Sequence, residues 1–458
     1  MVHVLAHFLG TQSGADASAH SPMVMTGQPR GVIRDLLSGM SARVLVLPAA
    51  GLAAIFTTRL VNATLGPQTF AVYALVAGLP LLFPVADLGL GAAITNAASA
   101  AQTDPARFHS ILRRSLLIAF SVASLIAAAS MLLGVSGLWP KMLGLSDPSL
   151  NAPISLALIV FGFSVPGGLG LKILLGIGRY VPGIIIQGLT PLLSLGVVAS
   201  AIGFGAQVEG LVAVSSLGVF LANWIGFLFA ARSMPSAPPR YDRAPQRGVM
   251  GEVIRTAMPM IAMTSGSAVV YQSGRLVLSH TSSLQQVAVY SALWTFFQPL
   301  MSIVGAAALV LWPRFAAARS AGRTVHRDFR VATLTCGLIG LCAGLGLTVL
   351  GPFAVHIATA GKIEVDITQC AILGATLTVI GAMLPAGMVL TFPRGLWLQA
   401  AAVWVAAAIV VAVGAVGSAS FGATAPLLGL LAAITFGEAI PIAAAAVIFM
   451  HRREPAHA

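Results

Sequence analysis

The chain has 458 residues, of which 57% are hydrophobic and only 8% charged, and its 25 Lys and Arg against 13 Asp and Glu leave a formal net charge of +12. A soluble domain carries about 25% charged residues, so a water-soluble fold of this length could not cover its surface. At about 20 apolar residues per membrane crossing, spans fill the chain and leave no room for a large soluble catalytic domain.

Residues 1–43 are rich in Ser, Gly and His and hold no apolar stretch long enough for a signal peptide or a span. They read as a flexible cytoplasmic tail, with helical character near Arg30 to Met40. Twelve apolar runs follow, at about 44–65, 69–96, 115–138, 153–178, 180–203, 208–231, 256–280, 286–312, 331–354, 366–390, 395–416 and 423–449. The predicted fold is therefore all-α and polytopic, with about 12 transmembrane helices. A basic cytoplasmic linker, 232–255, divides an N-terminal half, 44–231, from a C-terminal half, 256–450, and residues 451–458 form a second tail.

Charge orients the spans. With a cytoplasmic N-terminus, the inner loops hold Arg107, Arg113, Arg114, Arg179, the linker arginines, five arginines between 314 and 330, Arg394, Arg452 and Arg453. The outer loops hold only Lys141 and Lys362. Basic loops stay on the cytoplasmic side, which predicts that both termini are cytoplasmic. Cations scattered over short loops between apolar spans read as topology signals facing anionic membrane lipid, not as a nucleic-acid surface. Cys336, Cys342 and Cys370 lie inside apolar runs without paired spacing, which indicates neither a disulfide framework nor a metal site, and no cofactor motif is present.

The halves repeat. Residues 59–75 read RLVNATLGPQTFAVYAL, and residues 275–293 read RLVLSHTSSLQQVAVYSAL. The offset is 216 between Arg59 and Arg275 and 217 between Tyr73 and Tyr290, one inserted residue apart. Six spans separate the copies, so both halves have the same orientation, related by a pseudo-two-fold axis along the membrane normal. Such parallel repeats around a central cleft are an alternating-access architecture.

Residues 65–100, LGPQTFAVYALVAGLPLLFPVADLGLGAAITNAASA, followed by the inner loop ending Arg113-Arg114, resemble the opening of Wzx-type polysaccharide and O-antigen flippases of the multidrug/oligosaccharidyl-lipid/polysaccharide exporter superfamily. The resemblance implies a transporter that moves a polyprenyl-diphosphate-linked oligosaccharide across the bacterial inner membrane for O-antigen, capsule or exopolysaccharide synthesis. Other polysaccharide-assembly membrane proteins would be its partners. Twelve spans also suit the superfamily's cation-coupled drug antiporters. A membrane polymerase or glycosyltransferase would need acids, bases or metal ligands grouped at a water-exposed face. No long outer loop offers such a face, and the chain is read as a non-enzyme.

Polar residues within spans are costly and point to a cavity. Arg59 and Arg275 lie about 8 to 9 Å below the outer boundary by helical rise. As a repeat-related pair of permanently charged, forked donors they are candidates to hold the diphosphate; alternatively each snorkels outward or bonds a backbone carbonyl. In span 7, Thr264, Ser267, Tyr271 and Arg275 share one helical face, and span 8 places Ser291, Trp294, Gln298 and Ser302 at the same spacing. These are cavity-lining candidates, with interhelical hydrogen bonding as the competing role. Asp87 in span 2 and Glu438 in span 12 are candidates for ion coupling. Glu438 is the deepest acid, and Asn223 stands at its repeat position.

Overall fold

The computed structural model describes residues 29–82, 90–99, 101, 104–234, 249–309, 311, 315 and 326–451. Asp87 and linker residues 235–248 lie outside the described residues. By contact, residues 1–41 and residues 42–458 form two units. Every regular element among the described residues is helical.

Among the described residues, ten helices are long and apolar enough to cross a membrane, and the chain is a multi-pass membrane protein. Two local features raise the ten to the twelve expected. Spans 1 and 2 lie in one stretch, Pro29–Gly78, broken where Gly66 takes φ 87°, a left-handed value that glycine tolerates. Span 7 is the helix Val249–Thr281, whose apolar run is broken by Thr, Ser, Gln and Arg residues.

Span 3 occupies Pro105–Val135 and begins earlier than the expected 115. Asp104 accepts a hydrogen bond from the Arg107 amide at 2.9 Å, and Pro105 opens the first turn, both favourable helix starts. The apolar run misses this segment because its first turns carry the exposed Arg107, Arg113 and Arg114. Spans 4 and 5 are Asn151–Gly176 and Tyr180–Gly203. Span 6 is in two pieces, Val208–Val214 and Leu217–Ala231.

In the second half, spans 8 to 11 are Leu284–Leu309, His326–Ala358, Ile367–Val389 and Pro393–Phe421. Span 12 contains a π-helix: Thr424–Ala432, then Ala433–Ala439 wound in the wider π form, then Ile440–His451. Span 2 is also interrupted, with a 3-10 turn at Leu79–Leu82 and helix again at Leu90–Ser99.

Glycines set the closest approach in the second half. An added Cβ at Gly340 of span 9 would lie 2.6 Å from the Leu377 carbonyl of span 10, and Gly344 packs on Gly374, as Gly381 does on Cys336. Without a hydrophobic drive between helices in lipid, such small-residue seams give backbone-to-backbone van der Waals contact.

Loops that follow odd-numbered spans gather at one end. There Lys362 reaches Ala63, Gly144 packs on Ser279, Ser149 bonds Glu209, and Gln286 bonds the Ala423 amide. The hydrophobic clusters show where the halves join. One unites Val61, Phe70 and Tyr73 of the first half with Val270, Tyr290, Trp294 and Leu430 of the second, and another packs Leu276 and Leu284 against Trp139 and Leu143. Toward the opposite end each half closes its own core, around Ile94, Phe108 and Ile173 in one and around Phe315, Val389 and Met450 in the other.

Candidate substrate site

Span 7 presents Arg275 to a pocket of aromatic rings and to the other half. The guanidinium lies 6.0 Å over the Trp294 ring, within cation–π range. Its Nη1 donates to Gln272 Oε1 at 3.3 Å, one turn earlier on the same helix. Trp294 in turn stacks on Tyr290, centroids 5.6 Å apart and planes at 14°, and contacts Tyr271 at 6.1 Å and Phe297 at 5.1 Å. Two glycines admit this arrangement. A Cβ at Gly274 would lie 2.6 Å from the Tyr290 hydroxyl, and one at Gly78 of span 2 would lie 2.7 Å from Arg275 Nη1. Arg275 is therefore covered by the first half at a residue that has no side chain.

Arg59 sits differently. Its side chain is exposed, and Nη1 donates to the Ile357 carbonyl of span 9 at 2.6 Å, 298 residues away. From the other half, Lys362 Nζ donates to the Ala63 carbonyl at 2.9 Å. Between these contacts and Trp294, the Thr58 and Thr295 hydroxyls approach to 3.5 Å. The two arginines share no bonding partner. The repeat offset of 217 places Ala77 where Trp294 stands in the second half, so the first half has no aromatic surface at the position that stacks on Arg275.

Of the other span 7 candidates, Thr264 is exposed and donates to the Met260 carbonyl at 2.9 Å, while Ser267 and Tyr271 are half-buried. In span 8, Ser291 and Trp294 are buried, whereas Gln298 and Ser302 are exposed and joined by a 3.0 Å bond from the Ser302 hydroxyl to the Gln298 carbonyl. The helical face expected from the spacing thus runs from buried to exposed along each helix.

Glu438, 6% exposed, is in the π-helix of span 12. The preceding Gly437 packs against the Ala406 backbone of span 11, where an added Cβ would lie 2.7 Å from Ala406 Cα. Asn223, the repeat counterpart, donates to the Ser164 carbonyl at 3.1 Å. The π-helix was not legible beforehand, although such segments frequently mark functional sites. Sequence reasoning also passed over Gln272, Gly78 and Tyr290 as neighbours of Arg275; the Ala-Val-Tyr of the repeat was the available signal for Tyr290.

No protein-family profile and no curated protein sequence matches the chain. Solved structures do. An inward-facing multidrug resistance MATE transporter of the MOP superfamily superposes with a TM-score of 0.65 at 15% identity, covering 92% of this chain and 100% of that one. The outward-facing form of a MATE transporter gives 0.62 at 16% identity, over 94% and 98% of the two chains. The lipid II flippase MurJ, in an inward closed conformation, gives 0.63 at 12% identity over 92% of each. The chain therefore has the fold shared by MATE transporters and MurJ.

Proposed function

We propose that this protein is a flippase that moves a polyprenyl-diphosphate-linked oligosaccharide from the inner to the outer leaflet of the bacterial inner membrane by alternating access. The observation that carries the reading is the setting of Arg275. A guanidinium stays charged at any physiological pH, and here its partners are Gln272 and an indole ring, neither of them an acid. A cation held within a span with no acid bonded to it among the described residues is suited to an anionic ligand, and a diphosphate matches its forked donors. The prenyl tail would remain in lipid. Arg59, at the repeat-related position, would meet the same anion when its bond to Ile357 is released. Thr264, Ser267, Tyr271, Gln298 and Ser302 would line the path, with the Lys362 end facing outward and both termini in the cytoplasm. The fold shared with a lipid II flippase fits a lipid-linked cargo.

A second reading, a cation-coupled antiporter of drugs or metabolites, is favoured by Glu438, an acid buried in the π-helix of span 12. An acid in this position is also suited to driving the flippase with protons or sodium. Proteoliposomes separate the readings: purified protein should protect a fluorescent undecaprenyl-diphosphate oligosaccharide from an external glycosidase, and Arg275→Ala should abolish that protection. Absent protection, accompanied by cation-driven efflux of small organic cations, would favour the antiporter.

A further inference from the structure

Among the described residues, eleven buried side-chain nitrogen or oxygen atoms have no hydrogen-bond partner, and five of them fall between residues 273 and 294: Ser273 Oγ, Arg275 Nε, Tyr290 Oη, Ser291 Oγ and Trp294 Nε1. Buried polar groups are ordinarily satisfied, and an exception calls for a physical reason. The concentration lies around Arg275. Trp294 is 2% exposed and Tyr290 1%, and the two rings stack on each other beneath the guanidinium. Arg275 Nε and Trp294 Nε1 can only donate, and the Tyr290 hydroxyl can donate as well. What the two nitrogens lack is an acceptor within reach.

We infer that Tyr290 and Trp294 are ligand-binding residues that, with Arg275, form a donor cradle for a diphosphate, closed in this conformation and loaded when span 2 withdraws from span 7. This inference rests on the flippase reading and extends it to two residues that the reading does not need. The cover is Gly78, followed at once by the 3-10 turn Leu79–Leu82, so the wall over the cradle belongs to the interrupted part of span 2. With the wall in place the donors are desolvated and unpaired, which disfavours the closed form. With the wall withdrawn and an anion present, each donor gains a charge-assisted bond. Ligand binding and withdrawal of span 2 from span 7 therefore favour one another.

The removable atoms make the test clean. Tyr290→Phe deletes one oxygen and Trp294→Phe deletes the indole N–H while keeping an aromatic ring. The Tyr290 oxygen has no partner in the closed form, so its loss should not lower the melting temperature, whereas Trp294→Phe also removes part of a buried ring and lowers melting through the cavity it leaves. The full-length protein in detergent would be titrated with farnesyl diphosphate, and with inorganic pyrophosphate as competitor, by calorimetry. Each variant is expected to bind farnesyl diphosphate about tenfold more weakly than wild type, equivalent to about 1.4 kcal/mol, with melting unchanged or raised in Tyr290→Phe and pyrophosphate weakened in parallel. Wild-type affinity in both variants, with binding lost in Arg275→Gln, would overturn the cradle and leave the flippase reading standing. No binding of either probe by wild-type protein would overturn both.

Discussion

Replacing both Arg59 and Lys362 by Ala should open the end of the protein at which they meet. Each side chain donates to a carbonyl in the last turn of a helix from the opposite half: Arg59 to Ile357, one residue before span 9 ends, and Lys362 to Ala63, three residues before the Gly66 break. Those carbonyls are the unsatisfied, partially negative end of a helix, where an exposed cation is worth about 0.3 to 1 kcal/mol. A hydrogen bond from a shielded charged donor is worth about 1.5 to 3 kcal/mol, but both side chains are exposed and the lower range applies. Together the two bonds therefore contribute about 0.6 to 2 kcal/mol, a factor of about 3 to 30 in the ratio of closed to open forms. The readout is a disulfide between Thr58→Cys and Thr295→Cys, whose native hydroxyls are 3.5 Å apart, in protein whose Cys336, Cys342 and Cys370 have been replaced by Ala. Oxidant should cross-link the parent readily in proteoliposomes, and the Arg59→Ala, Lys362→Ala protein several-fold more slowly. An unchanged rate would mean that the reciprocal bonds do not hold the halves together.

Three further outcomes are expected. Gly144 has φ 67° and packs on Ser279 of span 7, with an added Cβ 2.7 Å from the Ser279 carbonyl carbon. Gly144→Val should therefore slow the same cross-link without touching either cation, and an unaltered rate would count against closure at this contact. Gly437→Leu drives a side chain into the Ala406 backbone and should destabilise the protein by about 1 to 3 kcal/mol, lowering its detergent melting temperature by several degrees; unchanged melting would refute the tight packing of spans 11 and 12. Glu438→Gln keeps the shape of the acid but removes its proton exchange. If Glu438 couples transport to protons, flipping by the variant should lose the pH dependence that wild type shows, and a parallel pH profile in both would remove Glu438 from the coupling step.

The membrane-spanning architecture was largely legible in the chain because burial in lipid demands long apolar helices. Spans 4, 5 and 10 begin and end within two residues of where hydropathy places them. The start of span 3 was not, since the helix continues past the apolar run into water-compatible arginines and is set by the Asp104 cap. The face carrying Tyr271 and Arg275 could be read from helical periodicity, a property local to one helix. The bond from Arg59 to Ile357 could not, because it depends on how two helices 298 residues apart approach each other. Lys362 illustrates the same limit. As sequence it is an exception to the charge asymmetry of the loops, whereas in three dimensions it reaches the first half through Ala63. The unsatisfied Trp294 nitrogen is likewise a property of packing, since an indole in an apolar run gives no sign of whether its N–H finds an acceptor.

The glycine seam between spans 9 and 10 has a mechanical consequence. Backbones in direct contact at Gly340, Gly344, Gly374 and Gly381 leave little side-chain material to shear, so this hairpin should behave as a stiff lever. Span 9, with 33 residues, is about 50 Å long at helical rise, and Lys362 sits in the loop at the lever's tip. A pull of Ala63 on that tip is transmitted down the hairpin to Ala332 and Val389, in the core that the second half closes by itself. Bending is then left to the pivots at the interruption after Gly78 and the π-helix at Ala433–Ala439, so that events at the two ends of the hairpin are geared to each other.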